Sequence, residues 1–190
     1  MADLRPCYVV SSISRSGSSM MMRCLIEGGL DAAYDDHQEP LNVQFGDGDY
    51  LPNGDGFFAL QEDFRDPAFY AKYEGRLVKV PWRELLTLPA GNYRVVFMLR
   101  DPAEISASME RFMPGWGGER VLAETCYLGA VNTLLAQLRA RGDMEVSTLD
   151  YASVVGNPAG QFALLGWPIN VKAASRMVDP ALRRFRLEAV

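Results

Sequence analysis

The segment at residues 8–30, YVVSSISRSGSSMMMRCLIEGGL, constrains the fold more than any other part of the chain. It runs from a short apolar strand, predicted over 7–12, into a Gly/Ser-rich turn and then into a helix predicted over 18–27, which Gly28 and Gly29 end. A strand, a tight turn and a helix N-terminus direct free backbone N–H groups and the positive end of the helix dipole to one point. The segment therefore predicts an anion site within an α/β fold.

The turn itself suggests which kind of anion binds. Ser16, Gly17, Ser18 and Ser19 are small enough for the backbone to wrap closely, and their hydroxyls add hydrogen-bond donors. A nucleotide kinase or GTPase would carry lysine after the glycine, in G-x-x-x-x-G-K-[ST], where this chain has Ser18. Arg15 instead precedes the glycine by two residues, and its planar guanidinium suits two oxygens of a phosphate or sulfate. The alternative is an ordinary strand–turn–helix connection with a solvated arginine.

Beyond this segment, the pattern predicts strands that alternate with helices. Further strands are predicted at 75–81, 93–101 and 144–151, and helices in DPAFYAKY from 66, over 102–112 and over 119–141, with a long irregular segment at 31–56. Apolar strands joined by helical crossovers indicate a three-layer α/β domain with a central parallel sheet. Ligands of such sheets bind beyond the carboxyl ends of the strands, which is where the turn after the first strand falls.

Composition limits the classes of function. With 190 residues and 48% hydrophobic residues, we expect a single domain over 1–190. The net charge of −5 argues against nucleic-acid and anionic-membrane partners. Cys7, Cys24 and Cys126 lie far apart, so neither a disulfide framework nor a metal site is predicted. Because no secretory signal or membrane span is apparent, we expect a cytoplasmic protein.

A second group of polar residues follows the strand predicted at 93–101. In VVFMLRDPAEISASMERF, Arg100 ends the strand, Asp101 and Pro102 start a helix, and either Ser106 or Ser108 could face back toward Arg100. An arginine and a hydroxyl at the carboxyl edge of the sheet would form a second phosphate site. Alternatively, Arg100 is structural and Ser108 is merely a helix residue.

Together, SISRSGSSM and VFMLRDPAEISAS resemble the two nucleotide-binding elements of sulfotransferases that use 3′-phosphoadenosine 5′-phosphosulfate. In that family a P-[RK]-S-G-T-T loop holds the 5′-phosphosulfate, and the Arg and Ser of R-D-P-x(5)-S hold the 3′-phosphate. LVKVP at 77–81 and LDYASVVGNP at 149–158 are similar to two further segments of the family. The chain departs from the pattern at Ser14, which replaces proline, and at both loop threonines, which are serines. The resemblance implies the P-loop NTPase-like sulfotransferase fold.

The resemblance also implies roles for individual residues. Transfer of a sulfuryl group to a hydroxyl or amine of a small acceptor requires positioning and charge stabilisation, and in principle no metal. Arg15 and the backbone of 16–19 would stabilise the leaving phosphate, and Arg100 and Ser108 would hold the 3′-phosphate. Lys79 would neutralise the sulfuryl oxygens, unless it extends to solvent from its strand end.

The general base for the acceptor proton is predicted in the long irregular segment. Some members of the family carry a catalytic glutamate after the first helix, so Glu39 is the first choice and His37, the only histidine, the second. The alternative for both is a solvated side chain on an acidic loop. Aromatic residues that could line an acceptor pocket are Phe57, Phe58, Trp82 and Trp116, and the late basic residues that could close over the 3′-phosphate are Arg183, Arg184 and Arg186.

Two rival functions share these sequence features. One is a P-loop kinase, in which Asp101 after the apolar strand would bind magnesium. The other is a nucleotide-binding protein that has lost transferase activity, which the departures in the loop would explain. The sequence indicates neither the identity of the acceptor nor the oligomeric state.

Overall fold

A computed structural model describes residues 5–34, 58, 60, 62–112 and 120–182, with the backbone alone at 111–112, 120–128 and 182. Five parallel strands form its central sheet in the order β2-β3-β1-β4-β5. The strands are β1 (Cys7–Ser12), β2 (Ala32–Ala33), β3 (Leu77–Lys79), β4 (Tyr93–Leu99) and β5 (Met144–Asp150). β1 is central and is paired with β3 on one side and with β4 on the other. The loop after β1 therefore leaves the middle of the carboxyl edge of the sheet.

Helices connect the strands. The α-helices are α1 (Ser18–Glu27), α2 (Phe69–Tyr73), α3 (Pro102–Phe112), α4 (Arg120–Ala140), α5 (Tyr151–Gly156), α6 (Pro158–Ala163) and α7 (Val171–Arg176). Two 3₁₀ helices lie at Trp82–Thr87 and Pro180–Leu182. None of the helices in the described part of the chain is long and apolar enough to cross a membrane.

The alternation of side chains along β1 shows how the layers form. Cys7 and Val9 point into a core cluster that also contains buried residues of α2, α4 and the first 3₁₀ helix. Tyr8 and Val10 point into a second cluster, shared with α1, α5, α6 and α7. All four side chains are buried, because helices cover both faces of the sheet. The protein therefore has a three-layer α/β fold.

Local sequence explains where the main helices begin and end. At the end of α1, Gly28 N donates to Cys24 O, and the next residue, Gly29, has the left-handed φ of 103° that glycine adopts at little cost. α3 starts with proline, and the carboxylate of Asp101 accepts a hydrogen bond from Ala103 N at 2.8 Å.

The structure confirms the predicted α/β class with a parallel sheet and corrects several boundaries. The strand predicted over 75–81 comprises three residues, and the helix predicted from residue 66 begins at Phe69, with Asp66 accepting from Ala68 N before it. The segment 31–56, predicted to be irregular, contains β2 at its start. This strand has two residues and is held by pairing with β3, so its sequence carries almost no pattern from which a strand could be predicted.

Candidate functional site

The loop between β1 and α1 is tightly folded. Arg15 has a φ of 68° and Gly17 a φ of 94°, so two residues within three positions are left-handed. A Cβ atom at Gly17 would lie 2.6 Å from Cδ2 of Tyr151, so the close approach of this ring also requires glycine. A non-glycine residue such as Arg15 is rarely left-handed, and such strain concentrates at functional sites.

The N-terminus of α1 has features that suit an anion. Its N-cap is Gly17, which offers no side chain to the first N–H groups, and its first turn contains no acidic residue. Ser16 is fully buried, and its Oγ has no hydrogen-bond partner within the part of the chain that the structure describes. A buried hydroxyl without a partner is costly, so this orphaned group fits a loop that is completed by a ligand.

Three cationic side chains converge on this loop. Arg15 Nε donates to Ser108 Oγ at 3.1 Å, and Arg100 Nη1 donates to the carbonyl oxygen of Arg15 at 2.9 Å. Lys79 Nζ donates to Ser19 Oγ at 3.1 Å. The structure thus brings together every nucleotide-binding residue predicted from the sequence, and Lys79 with them. It also distinguishes the two candidate serines of α3, since Ser108 is the one that contacts Arg15.

Arg100 is held from several directions. Its Nε donates to Glu104 Oε2 at 3.0 Å, in a salt bridge whose side chains are only 8% and 3% exposed. Its guanidinium carbon lies 4.4 Å from the centre of the Tyr151 ring. Sequence reasoning gave no role to Glu104 or Tyr151. The i, i+4 spacing from Arg100 is a signal in the sequence that could have indicated Glu104. The contact of Tyr151 with the loop is purely tertiary and has no such signal.

The side chain of Lys79 lies in surroundings that disfavour its positive charge. Its side chain turns inward to Ser19, so the expectation that it extends to solvent is not what the structure shows. Burial and, second, the positive charge of Arg15 lower the pKa of Lys79 from 10.5 to about 8. A cation that is desolvated next to another cation favours a bound anion, because the anion would offset both penalties.

The remaining predicted residues do not join this cluster. Asp101 is exposed and caps α3. Phe58 is buried in the core cluster that contains α1, where its ring makes an edge contact with Tyr34. Trp82 stacks with Arg83 and lines an open cavity of about 360 Å³ between the first 3₁₀ helix and α4. The predictions that lie outside the described residues are Glu39, His37, Phe57, Trp116, Arg183, Arg184 and Arg186.

Within 5–34, 58, 60, 62–112 and 120–182, no three His, Cys, Asp or Glu side chains are grouped so that they could hold a metal ion.

Comparison with known proteins supports the fold. No protein-family model matches the chain, and no curated protein is similar to it in sequence. Among solved structures, it resembles the sulfotransferase domain of an olefin synthase from Synechococcus PCC 7002, with 17% identity, a TM-score of 0.58 and coverage of 100% of this chain and 92% of that one. This similarity shows that the chain has a P-loop-like sulfotransferase fold.

Two other solved structures are more distant. A sulfotransferase domain from the curacin biosynthetic pathway has 15% identity and a TM-score of 0.48, covering 94% of this chain and 89% of that one. A sugar kinase from Janibacter sp. HTCC2649 has 16% identity and a TM-score of 0.42, covering 94% and 98% respectively. At these scores neither carries an argument about function.

Proposed function

We propose that this protein is a sulfotransferase that uses 3′-phosphoadenosine 5′-phosphosulfate to sulfate a hydroxyl or amine of a small acceptor. The observation that carries the proposal is the convergence of Arg15, Lys79 and Arg100 on the loop that precedes α1. Among the residues that the structure describes, the hydrogen bonds given above involve three cations and one carboxylate, Glu104, in a chain whose net charge is −5. Such a local reversal of charge suits a polyanionic ligand.

The arrangement of the cluster suits both ends of this nucleotide. The backbone of 16–19 and Arg15 would bind the 5′-phosphosulfate at the positive end of the α1 dipole. Arg100 and Ser108 would bind the 3′-phosphate. Since both groups are attached to one ribose, their sites must lie next to each other, and the 3.1 Å contact between Arg15 and Ser108 supports that requirement.

The co-substrate supplies an activated sulfuryl group, whose bond to the 5′-phosphate oxygen breaks as sulfur bonds to the acceptor oxygen or nitrogen. Arg15 and the α1 N-terminus would stabilise the charge that develops on the leaving phosphate. Lys79, which Ser19 orients, would neutralise the oxygens of the transferred group. Its role requires the protonated form, which the pKa of about 8 retains at neutral pH.

The acceptor must lose a proton to a general base. We retain Glu39 as the first candidate for this base and His37 as the second, on the resemblance to the family. A carboxylate in this role would accept the acceptor proton directly as the new bond to sulfur forms.

The kinase hypothesis gains no support from the described site. In the kinase hypothesis Asp101 would bind magnesium, but its carboxylate is engaged with Ala103 N at the start of α3. The loop has Ser18 where a Walker loop has lysine.

The test is a transfer assay with the sulfated co-substrate and a panel of phenols, alcohols, amines and sugars, in the presence of EDTA. We expect a sulfated product from at least one acceptor, with release of adenosine 3′,5′-bisphosphate. Phosphorylated product that forms from ATP and appears only when magnesium is added would instead establish the kinase. Tight binding of the bisphosphate with no turnover on any acceptor would favour the inactive nucleotide-binding protein.

A further inference from the structure

Helix α3 presents two buried polar residues to the candidate site. Glu104 and Ser108 are 3% and 2% exposed and are separated by four positions, so they lie on the same face of the helix. Each contacts an arginine of the site, since Glu104 binds Arg100 and Ser108 binds Arg15. One helical face therefore contacts both arginines that the proposed function assigns to the nucleotide.

We propose that Glu104 is a positioning residue for Arg100, which fixes its guanidinium where it can bind the 3′-phosphate. This inference rests on the proposed function, because it assumes that a 3′-phosphorylated nucleotide occupies the site. In this role Glu104 acts through Arg100 and need not contact the ligand itself.

Three contacts fix the plane of the Arg100 guanidinium. Glu104 accepts from Nε at 3.0 Å, the carbonyl of Arg15 accepts from Nη1 at 2.9 Å, and the ring of Tyr151 lies 4.4 Å from the guanidinium carbon. A long side chain that binds an anion must otherwise lose its rotamer freedom at the moment of binding. Prior fixation by Glu104 removes that cost from the binding step.

The position of Glu104 matters beyond simple charge pairing. A carboxylate next to Arg100 opposes the approach of a phosphate by like-charge repulsion, so charge alone would make Glu104 unfavourable for binding. A carboxylate at this position favours binding of the phosphate only if orientation outweighs this repulsion. Orientation and charge can therefore be separated by experiment, because they predict opposite effects on affinity for the 3′-phosphate.

The orientation that Glu104 gives to Arg100 also affects the loop between β1 and α1. Through Arg100, Glu104 supports the hydrogen bond to the carbonyl of Arg15, the residue whose left-handed φ of 68° shapes the loop. Displacement of Arg100 would remove this contact as well.

The experiment measures the 3′-phosphate preference, defined as the ratio of the Kd for AMP to the Kd for adenosine 3′,5′-bisphosphate, by calorimetry. Glu104→Asp keeps the charge but withdraws the carboxylate by one methylene group. We expect it to lower the preference by about tenfold, the effect of losing one hydrogen bond to a charged group. Glu104→Gln keeps the acceptor oxygen in place and removes the charge, so it should equal or exceed the wild-type preference.

A second variant keeps the test decisive if Glu104→Asp does not fold. Glu104→Ala removes both the acceptor and the charge, and positioning again predicts a lower preference. An unchanged or raised 3′-phosphate preference in Glu104→Asp would overturn the inference, and Glu104→Ala is read in the same way if Glu104→Asp does not fold. A preference that falls as much in Glu104→Gln as in the variant without the acceptor would also overturn it. If wild type itself prefers AMP or binds neither nucleotide, the proposed function fails, which is a distinct result.

Discussion

The carboxyl edge of the sheet, where the strands end, and the amino edge, where they begin, each contain a salt bridge between an arginine and an acid. The surroundings of the two salt bridges differ. At the amino edge Arg141 binds both carboxylate oxygens of Asp143, at 2.9 and 2.7 Å, and also donates to the carbonyls of Leu88 and Pro89. Asp143 in turn accepts from Gly91 N. The donors and acceptors of this pair thus anchor the segments that enter β4 and β5.

The pKa of an ionisable group is lowered at both edges, but for opposite reasons. At the amino edge the hydrogen bond from Arg141 is the main cause that lowers the pKa of Asp143, so each charge stabilises the other. At the carboxyl edge burial and the neighbouring Arg15 lower the pKa of Lys79, so the charged form of this lysine is destabilised. The comparison indicates that a salt bridge within a balanced network stabilises the fold, whereas an excess of buried cations favours a ligand.

The largest expected effect is on nucleotide binding, and it distinguishes Arg100 from Arg141. Arg100→Ala should weaken binding of adenosine 3′,5′-bisphosphate by about a hundredfold, as expected when one partner of a buried charged contact is removed. AMP should be affected much less, because it lacks the 3′-phosphate. Arg141→Ala should lower the free energy of unfolding by about 1–3 kcal/mol, since the part-buried carbonyls of Leu88 and Pro89 lose a donor, and it should leave both Kd values unchanged. Calorimetry and urea unfolding measure these effects.

Arg100→Ala also breaks the buried salt bridge with Glu104, and breaking such a pair costs about 3–5 kcal/mol. Arg100→Lys keeps a positive charge there and serves as the variant that folds. Equal losses of affinity for the two nucleotides in either Arg100 variant would contradict the 3′-phosphate assignment. A change in nucleotide preference in Arg141→Ala would contradict the contrast between the edges.

A smaller effect is expected from glycine substitutions. Gly17→Ala and Gly29→Ala both place alanine at a left-handed φ, of 94° and 103°, so both pay the same backbone penalty of about 1–2 kcal/mol. The added Cβ meets the Tyr151 ring at Gly17 and nothing within 4 Å at Gly29. Gly17→Ala should therefore be less stable than Gly29→Ala by about 1–3 kcal/mol of overpacking, and it alone should weaken nucleotide binding. Equal midpoints of urea unfolding would show that Tyr151 does not constrain the loop.

The smallest effect concerns pH. Because the pKa of Lys79 is lowered to about 8, the free protein loses this charge as the pH rises through 8. The affinity for 3′-phosphoadenosine 5′-phosphosulfate, which carries the sulfuryl group assigned to Lys79, should be constant from about pH 7 to 8. It should then fall by at most about tenfold for each further pH unit, the limit for one required proton. Lys79→Arg, whose guanidinium stays protonated, should abolish this dependence. A wild-type profile that is flat between about pH 7 and 9.5 would mean that Lys79 does not contact the bound anion.

Local patterns in the sequence predict several residues that the structure brings together at the candidate site. The β1–α1 loop follows from an apolar run, a glycine between serines and a helix start, and Arg100 and Ser108 follow from a strand end and a helical spacing. These residues converge as the sequence predicted because parallel strands place all their carboxyl ends at one edge.

The parts that escaped prediction depend on long-range contacts. The contact between Tyr151 and Gly17 joins residues separated by most of the chain, and no local pattern marks it. The i, i+4 spacing marks Glu104 as a partner for Arg100, but its burial depends on tertiary packing that the local sequence does not show. The general base, for which Glu39 and His37 are the candidates, stays a prediction from the resemblance alone.

The most direct test of the account is a calorimetric titration of the wild-type protein with adenosine 3′,5′-bisphosphate, AMP and magnesium-ATP in parallel. Because the carboxyl edge joins Arg15 and Arg100 in one site, the account predicts that the bisphosphate binds more tightly than AMP, and without a requirement for magnesium. Preference for magnesium-ATP, or no binding of any of the three, would contradict it.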